Sequence, residues 1–244
     1  MCNHSRNSRP AILMLTFVIC LPAVARESRP WMNTSLSSDV RADLLLARMS
    51  LEQKIQLLHE SSEVYQRGGW QYVPEALGGD GFVPGIPPLG IPDLQMVGAG
   101  VGVTSERGLK GRSTALPSSL AETATWDPKM ASEFGAVIGK ETRAEGFNVS
   151  LGGGIDLARE PRCGRNFEYH GEDPILAGTI IAPELRAIQD QGVVATIKHY
   201  ALNDQESGRG WVSSSLDTRS MRETDLLAYE IGIQESGVGA VMCS

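Results

Sequence analysis

The sequence predicts an α/β fold in which parallel strands alternate with helices, and three observations carry that expectation. Short apolar runs at Leu94–Val97, Asn148–Leu151, Val193–Ile197 and Val238–Cys243 have the length and composition of strands covered on both faces. The stretches between them open on helix-start chemistry: Asp127 before Pro128, Asp173 before Pro174, and Asp217 or Thr218. Glycine closes those same stretches, at Gly146, near Gly192 and near Gly237. Repeated β/α units of this kind form sheets whose faces are buried under helices.

Each element follows in order. Arg6 and Arg9 precede an apolar run from Ala11 to Leu21, and Ala23-Val24-Ala25 then supplies small residues, so residues 1–25 read as an export signal cleaved after Ala25. The run is too short for a membrane anchor, which needs about 20 apolar residues. The mature chain is therefore expected to be secreted or periplasmic, with no membrane partner. Residues 26–47 read as a leader running into the first helix, and 48–244 as one domain. Asp39 to Leu58 reads as helical, with Ser50 and Gln53 spaced as a capping box. From Gly68 to Gly90 the density of Gly and Pro marks an ordered loop or crossing segment. Pro183 is expected to kink or split the helix that starts at Pro174.

Composition narrows the function. The 244 residues carry a formal charge of −7, which offers no basic footprint for a phosphate backbone and disfavours a nucleic-acid partner. Cys163 and Cys243 are the cysteines left after Cys2 and Cys20 depart with the signal; they read as buried free thiols. Paired metal-ligand spacings are absent, so neither a metal nor another cofactor is expected. Gly98, Gly100 and Gly102 have a dinucleotide-like rhythm. The following Thr104 to Ser113 lacks the apolar period of the helix that such a motif needs.

In parallel α/β folds chemistry gathers where strands end. Two polar clusters sit there. Arg159 to Pro174, after the Asn148 strand, is dense in arginines and carboxylates, and these are expected to pair, although one arginine could instead face a ligand. Lys198-His199, after the Val193 strand, can donate to hydroxyls of one ligand. The alternatives, a solvated loop and a histidine satisfied within the core, remain open on composition alone.

The segment from about Arg48 to Ser244 resembles the N-terminal barrel of glycoside hydrolase family three, of the β-glucosidase type. The motifs are Pro87-Pro88-Leu89-Gly90-Ile91-Pro92, Ala115-Leu116-Pro117-Ser118 with Trp126-Asp127-Pro128, Gly164-Arg165-Asn166-Phe167-Glu168 with Gly171-Glu172-Asp173-Pro174, Ile197-Lys198-His199-Tyr200, and Val241-Met242-Cys243-Ser244. The resemblance implies a (β/α)8 TIM-barrel-like domain that is incomplete in this chain. It implies that Arg165, Lys198 and His199 bind hydroxyls of the non-reducing sugar, that Met242 lines the same pocket, and that Arg209 reaches it from the loop after Tyr200. The expected substrate is an oligosaccharide or aryl β-glucoside.

Two departures qualify that reading. The family's nucleophilic aspartate and acid/base glutamate are expected beyond Ser244, so the chain reads as a fragment without catalytic residues. The family also carries an aspartate after the strand matching Leu94–Val97, where this sequence has Gly98. The alternative is a non-catalytic carbohydrate-binding pseudoenzyme. The loop Ala201 to Arg209 contains no histidine, which disfavours the β-N-acetylhexosaminidase branch of the family.

Overall fold

The computed structural model describes residues 29–244 except 62, 67–68 and 106–107. The expected export signal, with Arg6, Arg9, Cys2 and Cys20, lies outside the described residues. The chain divides into two compact units, one ending at Ala47 and the other running from Arg48 to Ser244. In the first, helix α1 (Ser38–Leu46) is capped by the Ser37 hydroxyl, and Arg41 donates to the Trp31 carbonyl at 2.7 Å.

The second unit opens with α2 (Leu51–Gln56). The single helix expected from Asp39 to Leu58 is thus two helices. The reason was visible in its own capping box: the Ser50 hydroxyl accepts from the Gln53 amide while the Gln53 side chain accepts from Ser50 N–H, an arrangement that starts a helix. The Gly/Pro-rich stretch also holds more structure than expected. Strands β1 (Glu63–Gln66) and β2 (Gly69–Tyr72) pair as an antiparallel ribbon, and β3 (Gly81–Val83) joins the main sheet.

That sheet has five strands in the order β3, β4 (Leu94–Val97), β5 (Val149–Gly154), β6 (Val194–Tyr200) and β7 (Ala240–Cys243). β3 is antiparallel to β4, and every later neighbour is parallel. Spatial order follows sequence order, which is the singly wound arrangement of a barrel wall; a doubly wound nucleotide-binding sheet would reverse direction partway. Among the described residues, the helix that a dinucleotide site requires does not open after Gly98. The next one is the short α3 (Ser119–Thr123), capped by Ser118.

The long crossovers match the sequence reading closely. Asp127 caps α4 (Pro128–Glu145), which ends at Gly146 with φ 95°, a left-handed conformation that glycine adopts without penalty. Asp173 caps α5 (Pro174–Gln189) with two backbone bonds. α5 is not split by Pro183: the helix runs through it, giving up only the bond that the missing N–H would have donated to the Thr179 carbonyl. The last crossover is two helices, α6 (Thr218–Glu223, capped by Asp217) and α7 (Asp225–Ser236), separated at Thr224.

α4 packs on α5 and α5 on α7. Contact is close because glycine removes a side chain at the crossing: a Cβ at Gly135 would lie 2.1 Å from the Glu184 carbonyl oxygen. Beneath the helices, Ile138, Ile181, Leu185, Ile188 and Ile197 are fully buried in one apolar core with Val97. Burial of this kind contributes roughly 1.5–3 kcal/mol per large side chain and fixes the strand ends that carry the polar groups. No described helix is long and apolar enough to cross a membrane. Cys163 is buried and free as expected, whereas Cys243 is free but exposed, because it lies on the edge strand.

Candidate functional site

The strand ends open into a cavity of about 790 Å³. All five residues expected to grip a ligand, Arg165, Lys198, His199, Arg209 and Met242, line it, although they come from four separate segments. The parallel register explains part of the convergence: Lys198 of β6 lies directly beside Met242 of β7. Gly98, Gly100 and Gly102 line it with Ala99 and Val101, so little side chain projects from this wall, and Asp80 enters from the turn before β3.

Glu168 organises the two central cations. It stands on a single 3₁₀ turn, Asn166–Glu168, that directly follows Arg165, so the Arg165 Nε reaches one carboxylate oxygen in a short hydrogen bond. The other oxygen lies 3.2 Å from Lys198 Nζ. Burial alone would raise the Glu168 carboxyl; the Arg165 hydrogen bond and the Lys198 charge outweigh it and hold the group below the usual carboxylate range. Glu168 is therefore an anion at neutral pH, and each cation keeps other N–H groups for a ligand.

His199 is held by Asp156, a buried carboxylate just past β5. Asp156 accepts from the His199 backbone N–H at 2.7 Å and lies 3.3 Å from its Nδ1, while its second oxygen accepts from the Asn203 N–H at 3.0 Å. Tyr169 O–H donates to the Asn203 carbonyl at 3.2 Å. Directing Nδ1 at a carboxylate fixes the ring and leaves Nε2 for the cavity. Arg209 differs from these groups. It is half exposed and paired with Glu206 at 3.1 Å, so it sits at the rim.

The arginines of the Arg159–Pro174 cluster pair as expected, but not all locally. Arg162 binds Glu160 on the surface, whereas Arg159 reaches Asp225 of α7 at 2.5 Å and Thr224 at 2.6 Å. Only Arg165 faces the cavity.

A second charged cluster lies under the surface. Glu122 of α3, His170 and Glu184 of α5 bring one ligand atom each within 4.8 Å of the others, and all three are buried. Spacing in sequence did not disclose this set, which is the one group among the described residues with the donors to hold a metal ion. His170 Nδ1 lies 2.8 Å from the Gly154 carbonyl, an obligate acceptor, so Nδ1 carries a proton. Its Nε2 lies 3.3 Å from Glu184 and 3.8 Å from Glu122. Burial first, and then the Glu184 charge, push the Glu122 carboxyl up to about 10. Glu122 is accordingly neutral at pH 7.

Sequence reasoning missed Asp156, the contact of Glu168 with Lys198 and the position of Asp80. A carboxylate two residues past a strand end, as Asp156 is past β5, was a usable signal; nothing in the sequence marked Asp80.

Residues 89–244 match the glycosyl hydrolase family 3 N-terminal domain. The chain is 34% identical over 227 residues to β-glucosidase BoGH3A of Bacteroides ovatus, covering 89% of this chain and 28% of that protein. It is 38% identical to β-glucosidase B of Emericella nidulans, covering 81% and 22%. Among solved structures, β-glucosidase 3B of Thermotoga neapolitana in complex with α-D-glucose superposes with a TM-score of 0.76 at 30% identity, covering 83% of this chain and 29% of that one. DesR, a β-glucosidase of Streptomyces venezuelae in complex with D-glucose, does so with 0.74 at 32%, covering 84% and 24%. The chain thus spans about a quarter of the length of these relatives.

Proposed function

Since this chain belongs to glycosyl hydrolase family 3, through the N-terminal domain of that family, we propose that its cavity binds the non-reducing glucose unit of a β-glucoside, as part of a β-glucosidase-type hydrolase. The observation that carries this reading is the convergence of Arg165, Lys198 and His199 on one cavity, with Glu168 and Asp156 holding them in place. Cationic and imidazole donors fixed by carboxylates suit a neutral ligand rich in hydroxyls. Solved relatives hold glucose, which supports the ligand class. An exported mature protein, meeting oligosaccharides outside the cytoplasm, accords with the composition of residues 1–25.

The chemistry of the proposed reaction is retaining hydrolysis by two carboxyls about 5–5.5 Å apart, one forming a glycosyl-enzyme and the other serving as acid and then base. Neither role is assigned to a residue of this sequence. What these residues do is bind and orient: Lys198 and His199 donate to ring hydroxyls, Arg165 approaches from the loop after β5, and Met242 supplies an apolar surface. Gly98 favours a second reading, a carbohydrate-binding protein without turnover. Titration calorimetry with glucose, together with release of nitrophenol from an aryl β-glucoside, tests both. Saturable glucose binding supports the first statement, and absence of any heat or thermal shift at tens of millimolar glucose overturns it. Turnover by the 244-residue chain would eliminate the second reading.

A further inference from the structure

We propose that Asp80 is a sugar-binding carboxylate of this cavity, delivered from the strand opposite Gly98 to do what a side chain at position 98 would otherwise do. The inference rests on the sugar-binding reading and adds a residue that neither the resemblance nor the motifs point to.

Register places it there. β3 runs antiparallel to β4 with Gly81 opposite Met96, and Asp80 N–H donates to the Met96 carbonyl at 3.0 Å. Asp80 therefore stands one step beyond the last paired residue, beside the C-terminal end of β4, where it lines the cavity with Lys198, His199 and Arg165.

Its carboxylate also fills the space that Gly98 leaves. A Cβ built on Gly98 would lie 2.6 Å from Asp80 Oδ2 and 3.6 Å from the Asp80 carboxyl carbon. In an aspartate the carboxylate oxygens lie roughly 2.4 Å from their own Cβ by standard bond lengths. An Asp80 oxygen thus occupies the shell around position 98 that a residue-98 carboxylate would occupy. The two cannot coexist unchanged, because the contact is too short and two like charges at that separation repel. Gly98 is not in the left-handed region, so its backbone does not demand glycine. The Asp80 side chain does.

The chemistry of the cavity calls for this group. Vicinal hydroxyls of a pyranose bind well to a carboxylate that accepts from both in charge-assisted fashion. Among the described residues, Asp80 and Glu168 are the acidic side chains that line the cavity. The ligand class is accordingly a pyranose with adjacent free hydroxyls.

The test compares the full chain with Asp80→Asn, Asp80→Ala, Gly98→Asp and the double variant Asp80→Ala/Gly98→Asp. Glucose affinity is read by calorimetry and melting temperature without ligand by circular dichroism. The expected result is a loss of at least tenfold in affinity for both Asp80 variants, a Gly98→Asp protein that melts lower than wild type, and recovery of affinity to within a few fold, and of melting temperature, in the double variant. Glucose binding by wild type that Asp80→Asn leaves unchanged overturns the proposal while the sugar reading stands. So does a folded double variant that fails to regain affinity. If wild type does not bind glucose, the sugar reading falls and takes this role with it, whatever the melting temperatures show.

Discussion

Glu168 and His170 stand two residues apart in one turn and enter opposite environments. Glu168 joins the open cavity, where one carboxylate serves two cations and the cluster is compensated by opposite charge. His170 turns inward to meet Glu122 and Glu184, where two carboxyls and a ring are sealed from water and a proton must make up the balance. The difference teaches that density of charge in a sequence says little about function. What separates a ligand site from a buried network is which partners the fold supplies and whether solvent reaches them.

The largest effect should come from breaking the compensated cluster. Glu168→Leu leaves Lys198, whose side chain is 9% exposed, and Arg165 without their shared anion, and should cost about 3 kcal/mol of stability in urea denaturation. A change under 0.5 kcal/mol would show that solvent already satisfies both cations. Next, Asp156→Ala removes the acceptor of the His199 and Asn203 amides and should cost about 2 kcal/mol, with glucose affinity falling in parallel as the ring loses its orientation. Stability loss with affinity intact would mean that the ring of His199 is oriented by other groups.

The sealed cluster should respond in the opposite sense. Glu122 has its carboxyl raised in the fold from 4.5 to about 10, so the folded state holds a proton that the unfolded chain releases above pH 4.5. Its cost is absent below that pH and grows as pH rises toward 10. Glu122→Gln should therefore melt several degrees higher than wild type at pH 8, about 1–2 kcal/mol, with the difference vanishing near pH 4. Identical pH profiles would show that Glu122 is ionised in the fold. The smallest effect belongs to the rim: Arg209→Ala should change stability by less than about 0.5 kcal/mol, because its pair with Glu206 is exposed. A loss of affinity beyond a few fold on the same variant would move Arg209 from the rim into the site.

The contrast also explains what the sequence disclosed. Helices α4 and α5 were legible at their starts because Asp–Pro caps are local chemistry, and strands β4 to β7 because all four are apolar runs, although β5 and β6 are mostly buried while β7 is half-exposed to exposed throughout. β3 was not legible, since three residues amid Gly and Pro carry no period. Lys198 and His199 stood out because they close the apolar run of β6, and Arg165 because it lies in the Gly-Arg motif through which the resemblance runs. Glu122, His170 and Glu184 did not, since tertiary packing alone unites a short helix, a turn and the middle of α5. Asp80 was missed for the same reason: its relation to Gly98 exists only across a strand pair.

Sequential strand order bears on how such a protein comes to be folded. Val149 pairs with Val194 and Thr196 with Ala240, so each parallel pairing closes over one crossover, built of α5 between β5 and β6 and of α6 and α7 between β6 and β7. A strand emerging from the ribosome finds its partner already in place, and no later segment must be threaded between earlier ones. Parallel sheets fold slowly when their partners are distant in sequence. This order keeps each closure to one crossover, and lets the wall of the cavity grow one unit at a time from β4 onward.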